Sequence, residues 1–328
     1  MLTDILESKK CFKLVCGAGN EDAVEVEKLV TLYSKAGCKF FDVSANAKIV
    51  DVAKKALKNS KITDAYLCVS VGIKGDPHVS KAYIDKEICT NCGKCIPICP
   101  QNAILKSEKD VFINKPPCIG CGKCAEICPV NSINMHSEPD DLNKILPPLI
   151  EKGIDCIEFH ALSEDEDEIL QKWSDINSMY SGLLSICVDR SRLGNIRLLK
   201  LIDKMLEIRA PYTTIIQADG APMSGEKDDY KSTLQAVATA EIFQKHFENK
   251  MITPCYILIS GGTNSKSLEL AHLCDINVNG VAIGSYARKI VKEYVNREDF
   301  LYNDEIFSKA LKVAKNLVDK IKIKNSLY

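Results

Sequence analysis

Two sixteen-residue stretches of this chain, at 89–104 and 118–133, repeat one another cysteine for cysteine. The first reads CTNCGKCIPICPQNAI and the second CIGCGKCAEICPVNSI, and each cysteine of the first recurs 29 positions later. Each copy has the spacing C-x2-C-x2-C-x3-C, followed by proline. Half of the chain's 16 cysteines thus fall between Cys89 and Cys128. The start, MLTDILESKK, has no apolar core that could serve as a secretory signal, so the chain reads as cytoplasmic. In a reducing compartment, clustered cysteines bind metal or do redox chemistry more often than they form disulfides.

The spacing has a physical reason. Three cysteines two residues apart wrap a tight turn around one cubane, and the fourth leaves the loop pointing at the other cluster. The unit resembles the bacterial two-cluster ferredoxins. The expectation is two 4Fe–4S clusters, one held by Cys89, Cys92, Cys95 and Cys128, the other by Cys118, Cys121, Cys124 and Cys99. Gly93 and Gly122 permit backbone geometry that a Cβ would obstruct, and Pro100 and Pro129 fix the chain as it leaves each fourth cysteine. A pair of structural zinc sites is the alternative. Zinc sites take two cysteines from each of two knuckles and need neither three in a row nor a displaced fourth before proline. Neither copy lacks a cysteine, which argues against a 3Fe–4S site.

Outside this unit, short apolar runs alternate with longer segments of helical period. The runs are 12–19, 39–45, 65–72, 155–162, 182–189, 212–220, 255–262 and 280–287, and a helical segment follows each, the third only after the cysteine unit. Alternating βα units imply a parallel sheet, and eight of them imply a (βα)8 TIM-like barrel. Removing residues 77–137 leaves about 260 residues, close to the ~250 typical of that fold. The expected organisation is a first barrel part at 1–76 with strands one to three, a ferredoxin-like insert at 77–137, and a second barrel part at 138–328. A doubly wound open sheet is the runner-up, but eight strands with no dinucleotide fingerprint argue against it. Loops that follow strands lie on the C-terminal face of a barrel, where active sites sit. An insert after strand three therefore hangs its clusters over the mouth, although a surface loop can also simply tolerate an insertion.

Several strand ends are polar where a structural barrel would not need it. Asp42 and Ser44 end strand two, Glu158 and His160 share one face of strand four, Asp189 and Arg190 end strand five, and Gln217 and Asp219 share a face of strand six. Asp42, Glu158, His160, Asp189, Gln217 and Asp219 are the candidate proton donors or substrate-binding groups. Carboxylates facing Lys13 or Arg190 could equally be structural ion pairs. After strands seven and eight, Gly261, Gly262, Thr263, Asn264, Gly284 and Ser285 stand where this fold commonly binds phosphate. The ligand there would be a flavin phosphate (FMN), a phosphorylated substrate, or nothing. Cys38, Cys68, Cys156, Cys187, Cys255 and Cys274 read as small core residues. Cys16 is expected to face the mouth, as a buried thiol or a reactive one. Ser163 is expected to N-cap the acidic helix that follows it.

The segments FKLVCGAG, FDVSA, GDPH, QADGAPMSG, LISGGTN and AIGSYARK, together with the cysteine block, resemble the light-dependent period (LdpA-type) iron–sulfur family of cyanobacteria in order and spacing. The resemblance implies an iron–sulfur redox protein, associated in cyanobacteria with passing redox state to the circadian clock. It carries over the cluster block and, as a signature loop, Gln217, Asp219, Met223, Ser224 and Gly225. Three functions compete: an oxidoreductase fed through the clusters, a redox sensor or carrier acting through a partner protein, and a purely structural use of the clusters. The first two require a redox partner, and the first a small-molecule substrate. The formal charge of −1 offers nothing to nucleic acid. No apolar run approaches the ~18 residues a membrane span needs.

Overall fold

The computed structural model describes residues 1–73, 80–136, 141–190, 193–220, 227–248 and 253–322. Both expected insert boundaries, the GDPH segment and Met223, Ser224 and Gly225 lie outside the described residues. The chain runs from helix α1 (Leu2–Glu7) into β1 (Cys11–Val15), α2 (Ala23–Lys35), β2 (Phe40–Ser44), α3 (Ala47–Asn59) and β3 (Tyr66–Val71). The cysteine unit follows, with β4 (Lys81–Ile84), β5 (Ile104–Lys106), β6 (Val111–Ile113), α4 (Lys123–Glu126) and β7 (Ile133–His136). The chain then resumes with α5 (Leu142–Glu151), β8 (Cys156–His160), α6 (Glu166–Met179), β9 (Leu183–Val188), α7 (Asn195–Glu207), β10 (Thr214–Asp219) and α8 (Tyr230–Glu248). It ends with β11 (Tyr256–Ser260), α9 (Ser267–Leu273), β12 (Gly280–Ile283), α10 (Ser285–Val295) and α11 (Asp304–Lys322).

Eight strands close into a parallel barrel in the order β1-β12-β11-β10-β9-β8-β3-β2. All eight apolar runs supply a barrel strand, because helices cover their outer faces and both sides of each strand are buried. Phe159 points outward and stacks on Trp173 of α6, 6.3 Å between ring centroids. Caps set where helices begin. Asp22 accepts from the Val24 and Glu25 amides ahead of α2, and Asp165 accepts from Glu168 ahead of α6. The N-cap of α6 is thus Asp165 and not Ser163, whose hydroxyl instead accepts from the Asp165 amide.

Inward-facing side chains stack in layers, as strand alternation requires. The lowest layer is apolar: Cys11, Phe40, Cys68, Cys156, Ile215, Tyr256 and Leu258, closed from beneath by Leu2 and Leu6 of α1. Above it lies a polar layer around Lys13, and above that the mouth. Cys16 is fully buried in the layer between barrel and helices and does not face the mouth. Residue 13 points inward, so residue 16 points out. Cys274 is exposed just beyond α9 rather than a core residue.

The cysteine unit is two antiparallel ribbons, β4 with β7 and β5 with β6, around its own small core. The repeat is backbone-deep. Asn91 and Gly120, Gly93 and Gly122, and Asn102 and Asn131 all have positive φ, between 50° and 75°. Asparagine and glycine are the residues that tolerate this conformation. The unit is docked on the mouth side of the barrel. Lys81 donates to the carbonyls of Gly19, Lys115 and Cys118, Glu21 N donates to Pro116 O at 2.9 Å, and Lys292 of α10 reaches Pro100 O.

Candidate functional site

Lys13 is the centre of the polar layer and is wholly buried. Its Nζ lies 2.5 Å from Glu158 Oε2, 2.8 Å from Asp42 Oδ2 and 3.0 Å from Gln217 Oε1. Ser185 donates to Glu158 Oε2 at 2.9 Å, and Gln217 Nε2 donates to Glu158 Oε1, also at 2.9 Å. Ser70 donates to Asp42 Oδ1 at 2.6 Å, and His160 Nε2 lies 3.3 Å from Glu158 Oε1. One ammonium shared by two buried carboxylates leaves one of them easy to ionise and the other hard. Burial raises both. Lys13, aided by His160, overrides it at Glu158 and holds that carboxyl far below its ordinary range. At Asp42 burial prevails over Lys13, with Glu158 adding repulsion, and the group is pushed up to about 6. Burial opposes the charge on Lys13, yet Asp42 and Glu158 hold its ammonium firmly protonated.

Directly above lies an open cavity with an empty volume of about 720 Å³, its mouth included. Glu158, His160, Gln217 and Asp219 line it, as do Gly261, Gly262, Thr263, Gly284 and Ser285. Asp42 joins the network from beneath the floor. Asp189 is buried at the end of β9 but is not among the lining residues, and neither is Asn264. The Asn264 amide is spent on the carbonyls of Lys227 and Asp229, at 2.9 and 2.8 Å, pinning the start of α8. Gly261 has φ +65, and a Cβ there would collide with the Asp219 carboxylate. The glycine therefore lets the loop after β11 close down on Asp219.

Three further residues belong to this site. Cys187 lines the cavity instead of the hydrophobic core, and Glu158, His160 and Cys187 offer one ligand atom each within 4.8 Å of one another. Alternation from Ser185 would have flagged it. Arg288 of α10 lines the cavity one turn after Ser285, with only its place after strand eight to signal it. Ile119, beside Cys118 in the insert, also lines it, a contact no local pattern encodes.

The cysteines fall into two smaller apolar cavities. Cys99, Cys118, Cys121 and Cys124 line one, together with Ile119. Cys89, Cys92, Cys95 and Cys128 line the other. The grouping is the crossed one, with each fourth cysteine joining the other copy's three. Backbone amides already aim at sulfur: Ala103 N to Cys99 and Ser132 N to Cys128 at 3.3 Å, and Ala82 N to Cys118 at 3.4 Å. Four thiols around an apolar hollow with amide donors fit a cubane's thiolate coordination and its hydrogen-bonded sulfurs.

These features define a class, a closed (βα)8 barrel with a 4Fe–4S ferredoxin-type unit on its mouth. A model of the 4Fe-4S dicluster domain matches residues 82–135, and one of the light dependent period A C-terminal domain matches residues 148–320, more than half of the chain. The chain belongs to the light dependent period A family, and it is an iron–sulfur redox protein. It is 27% identical to "Light dependent period A" of Synechococcus elongatus, over 88% of this chain and 83% of the relative. The YdjI aldolase of Escherichia coli K12 shares the fold, with a TM-score of 0.51 at 6% identity over 99% of this chain and 97% of that one. Among the described residues no helix is long and apolar enough to cross a membrane.

Proposed function

We propose that the protein is a two-cluster oxidoreductase in which electrons enter the ferredoxin-type unit and leave it into a ligand at the barrel mouth. One 4Fe–4S cluster takes Cys89, Cys92, Cys95 and Cys128, the other Cys118, Cys121, Cys124 and Cys99. The observation that carries this reading is Ile119, which lines both the cavity of the second quartet and the mouth cavity. One residue thus borders both the cavity of a cysteine quartet and the mouth cavity. The clusters supply single electrons. The chain's own residues supply protons and position. Glu158, fixed as a carboxylate, orients His160, and His160 can then hand a proton into the cavity. Gln217 is locked between Lys13 and Glu158 and keeps that pair in register. Asp219 accepts a hydrogen bond from the ligand, and Thr263, Gly284 and Ser285 form the wall beside it. The ligand is FMN or a small substrate reduced directly.

The test is anaerobic purification with iron, sulfide and flavin analysis and EPR. About eight irons per chain, two cubane signals and a bound flavin or a reducible ligand are expected. Stoichiometric zinc without iron would sink the reading.

A second reading, a carrier that passes electrons to a protein partner without chemistry at the mouth, is favoured by the exposed Cys92 and by Ile88 and Val130 exposed near it. His160→Gln combined with Asp219→Asn, which leaves the buried Lys13–Glu158 pair in place, separates the two, since a carrier keeps its full cellular function in that variant.

A further inference from the structure

The mouth cavity contains a cation that the catalytic reading does not use. The Nε and Nη1 atoms of Arg288 are shut off from solvent, yet neither has a hydrogen-bond partner among the described residues. A guanidinium cannot shed its proton to escape this, so the lost hydration of these two atoms stays uncompensated until an acceptor arrives. Its place is defined by Gly17, whose φ is +111. A Cβ built there would stand 3.7 Å from Arg288 Nη1 and 3.7 Å from Ile119 Cγ2. Arg288 therefore lies on the wall formed by the loop after β1 and by the insert, beside the residue next to Cys118. It lines the mouth cavity and not the cavity of the nearby cysteine quartet. Of the cavity's two buried acids, Glu158 is held by Lys13, and Asp219 packs on the β10–β11 side against Gly261. Arg288 and Asp219 occupy different walls of the cavity.

We propose that Arg288 is the anion-binding residue of the mouth cavity, holding a phosphate or carboxylate group of the ligand at the insert-side wall. The proposal rests on the reading that this cavity takes a small molecule, and it names that molecule's class. A planar guanidinium grips either group through two parallel hydrogen bonds. The missing side chain at Gly17 leaves the space beside it open, and Ile119 borders that same space. The anion is thus held at the wall nearest the clusters, and the remainder of the ligand extends toward His160 and Asp219. Flavin phosphate and a phosphorylated or carboxylated substrate share this chemistry.

The test uses anaerobic holoprotein with oxidised clusters, titrated calorimetrically with inorganic phosphate, FMN and succinate. At least one probe binds the unaltered protein, and Arg288→Gln weakens it tenfold or more while iron content and EPR signals stay unchanged. Binding of FMN alone identifies a flavin site. Phosphate together with FMN identifies a general phosphate site, and succinate alone a carboxylate site. Arg288→Lys keeps the charge without the fork and falls between the two proteins. Should Arg288→Gln fail to take up clusters, the lysine variant decides by itself, and it must bind several-fold more weakly. The proposal is overturned if no probe binds at millimolar concentration. It is equally overturned if Arg288→Gln binds as the unaltered protein does, or if that substitution shifts only the cluster potentials. No binding readout requires an electron. Loss of the anion site therefore leaves the cluster-to-mouth route standing, and unreducible clusters with intact anion binding do the reverse.

Discussion

The two cysteine quartets have one spacing and one set of backbone turns but different surroundings. The quartet of Cys99, Cys118, Cys121 and Cys124 faces the barrel. Gln101 donates to Glu25 of α2 at 2.9 Å, Lys292 reaches Pro100 O, and Ile119 is a wall shared with the mouth. The quartet of Cys89, Cys92, Cys95 and Cys128 faces away, with Cys92 exposed. A symmetric motif thus becomes a directional one once it is docked. If both quartets hold clusters, the outward one is placed to receive electrons and the inward one to deliver them.

The most severe way to break this comparison is to remove one quartet at a time. Cys92→Ser and Cys121→Ser should each lower iron from about eight to about four per chain. With chemical reductant supplied, only Cys121→Ser should abolish reduction of a ligand at the mouth, and Cys92→Ser should slow delivery from a protein donor. Iron analysis and stopped-flow absorbance check both, and the opposite pattern would reverse the assigned direction.

Next in size is Lys13→Met, which attacks the floor beneath the inward side alone. Removing the ammonium strands two buried carboxylates, at a cost of ~3–5 kcal/mol. Denaturant midpoints should fall by that amount while the iron content of the folded fraction stays unchanged. Loss of clusters in step with stability would show that barrel and insert unfold together.

Asp42→Asn has a smaller, pH-dependent effect. Burial holds the Asp42 carboxyl at about 6 against an ordinary 3.8. Between those values the folded chain keeps a proton that the unfolded chain releases. The stability due to this group is therefore full below the lower value and lost as pH rises through the upper one. Glu158 runs the other way. Its depressed carboxyl contributes stability above an ordinary 4.5 that is lost as pH falls. Removing Asp42 leaves only the second effect, so the variant should lose the fall in stability between about 3.8 and 6 and keep only the rise that ends near 4.5. Parallel curves for the two proteins would refute the shift at Asp42.

The gentlest probe is Ile119→Ala. The side chain is only partly buried, so its truncation should cost below about 2 kcal/mol. Water admitted at this wall favours the more negatively charged reduced cluster. In a redox titration followed by EPR, the inward cluster's potential should rise while the outward one's stays fixed. Equal movement of both would remove the distinction between the quartets.

The quartets and the eight strands were legible because each is a local pattern. C-x2-C-x2-C-x3-C-P fixes thiol positions within one turn of chain, and an apolar run bounded by glycine or polar residues marks a strand wherever it lies. Alternation likewise put Glu158 with His160 and Gln217 with Asp219 on shared faces. It misses Cys187, whose apolar segment points to the hydrophobic core although Ser185 shares its face. It also misplaced Cys16, where the glycine that follows suggested the mouth while the parity of β1 turns the thiol toward the helices.

By itself, then, the sequence determined the barrel, the 4Fe–4S unit and most of the polar layer, because short-range spacing dictates which way a side chain points from its own strand or turn. Only the tertiary structure decided which quartet faces the pocket, that Lys13 binds Asp42 and Glu158 at once, and that Arg288 and Ile119 both stand beside Gly17. Those relations join residues 29 to 271 positions apart, and barrel closure and insert docking, not any local preference, bring them together.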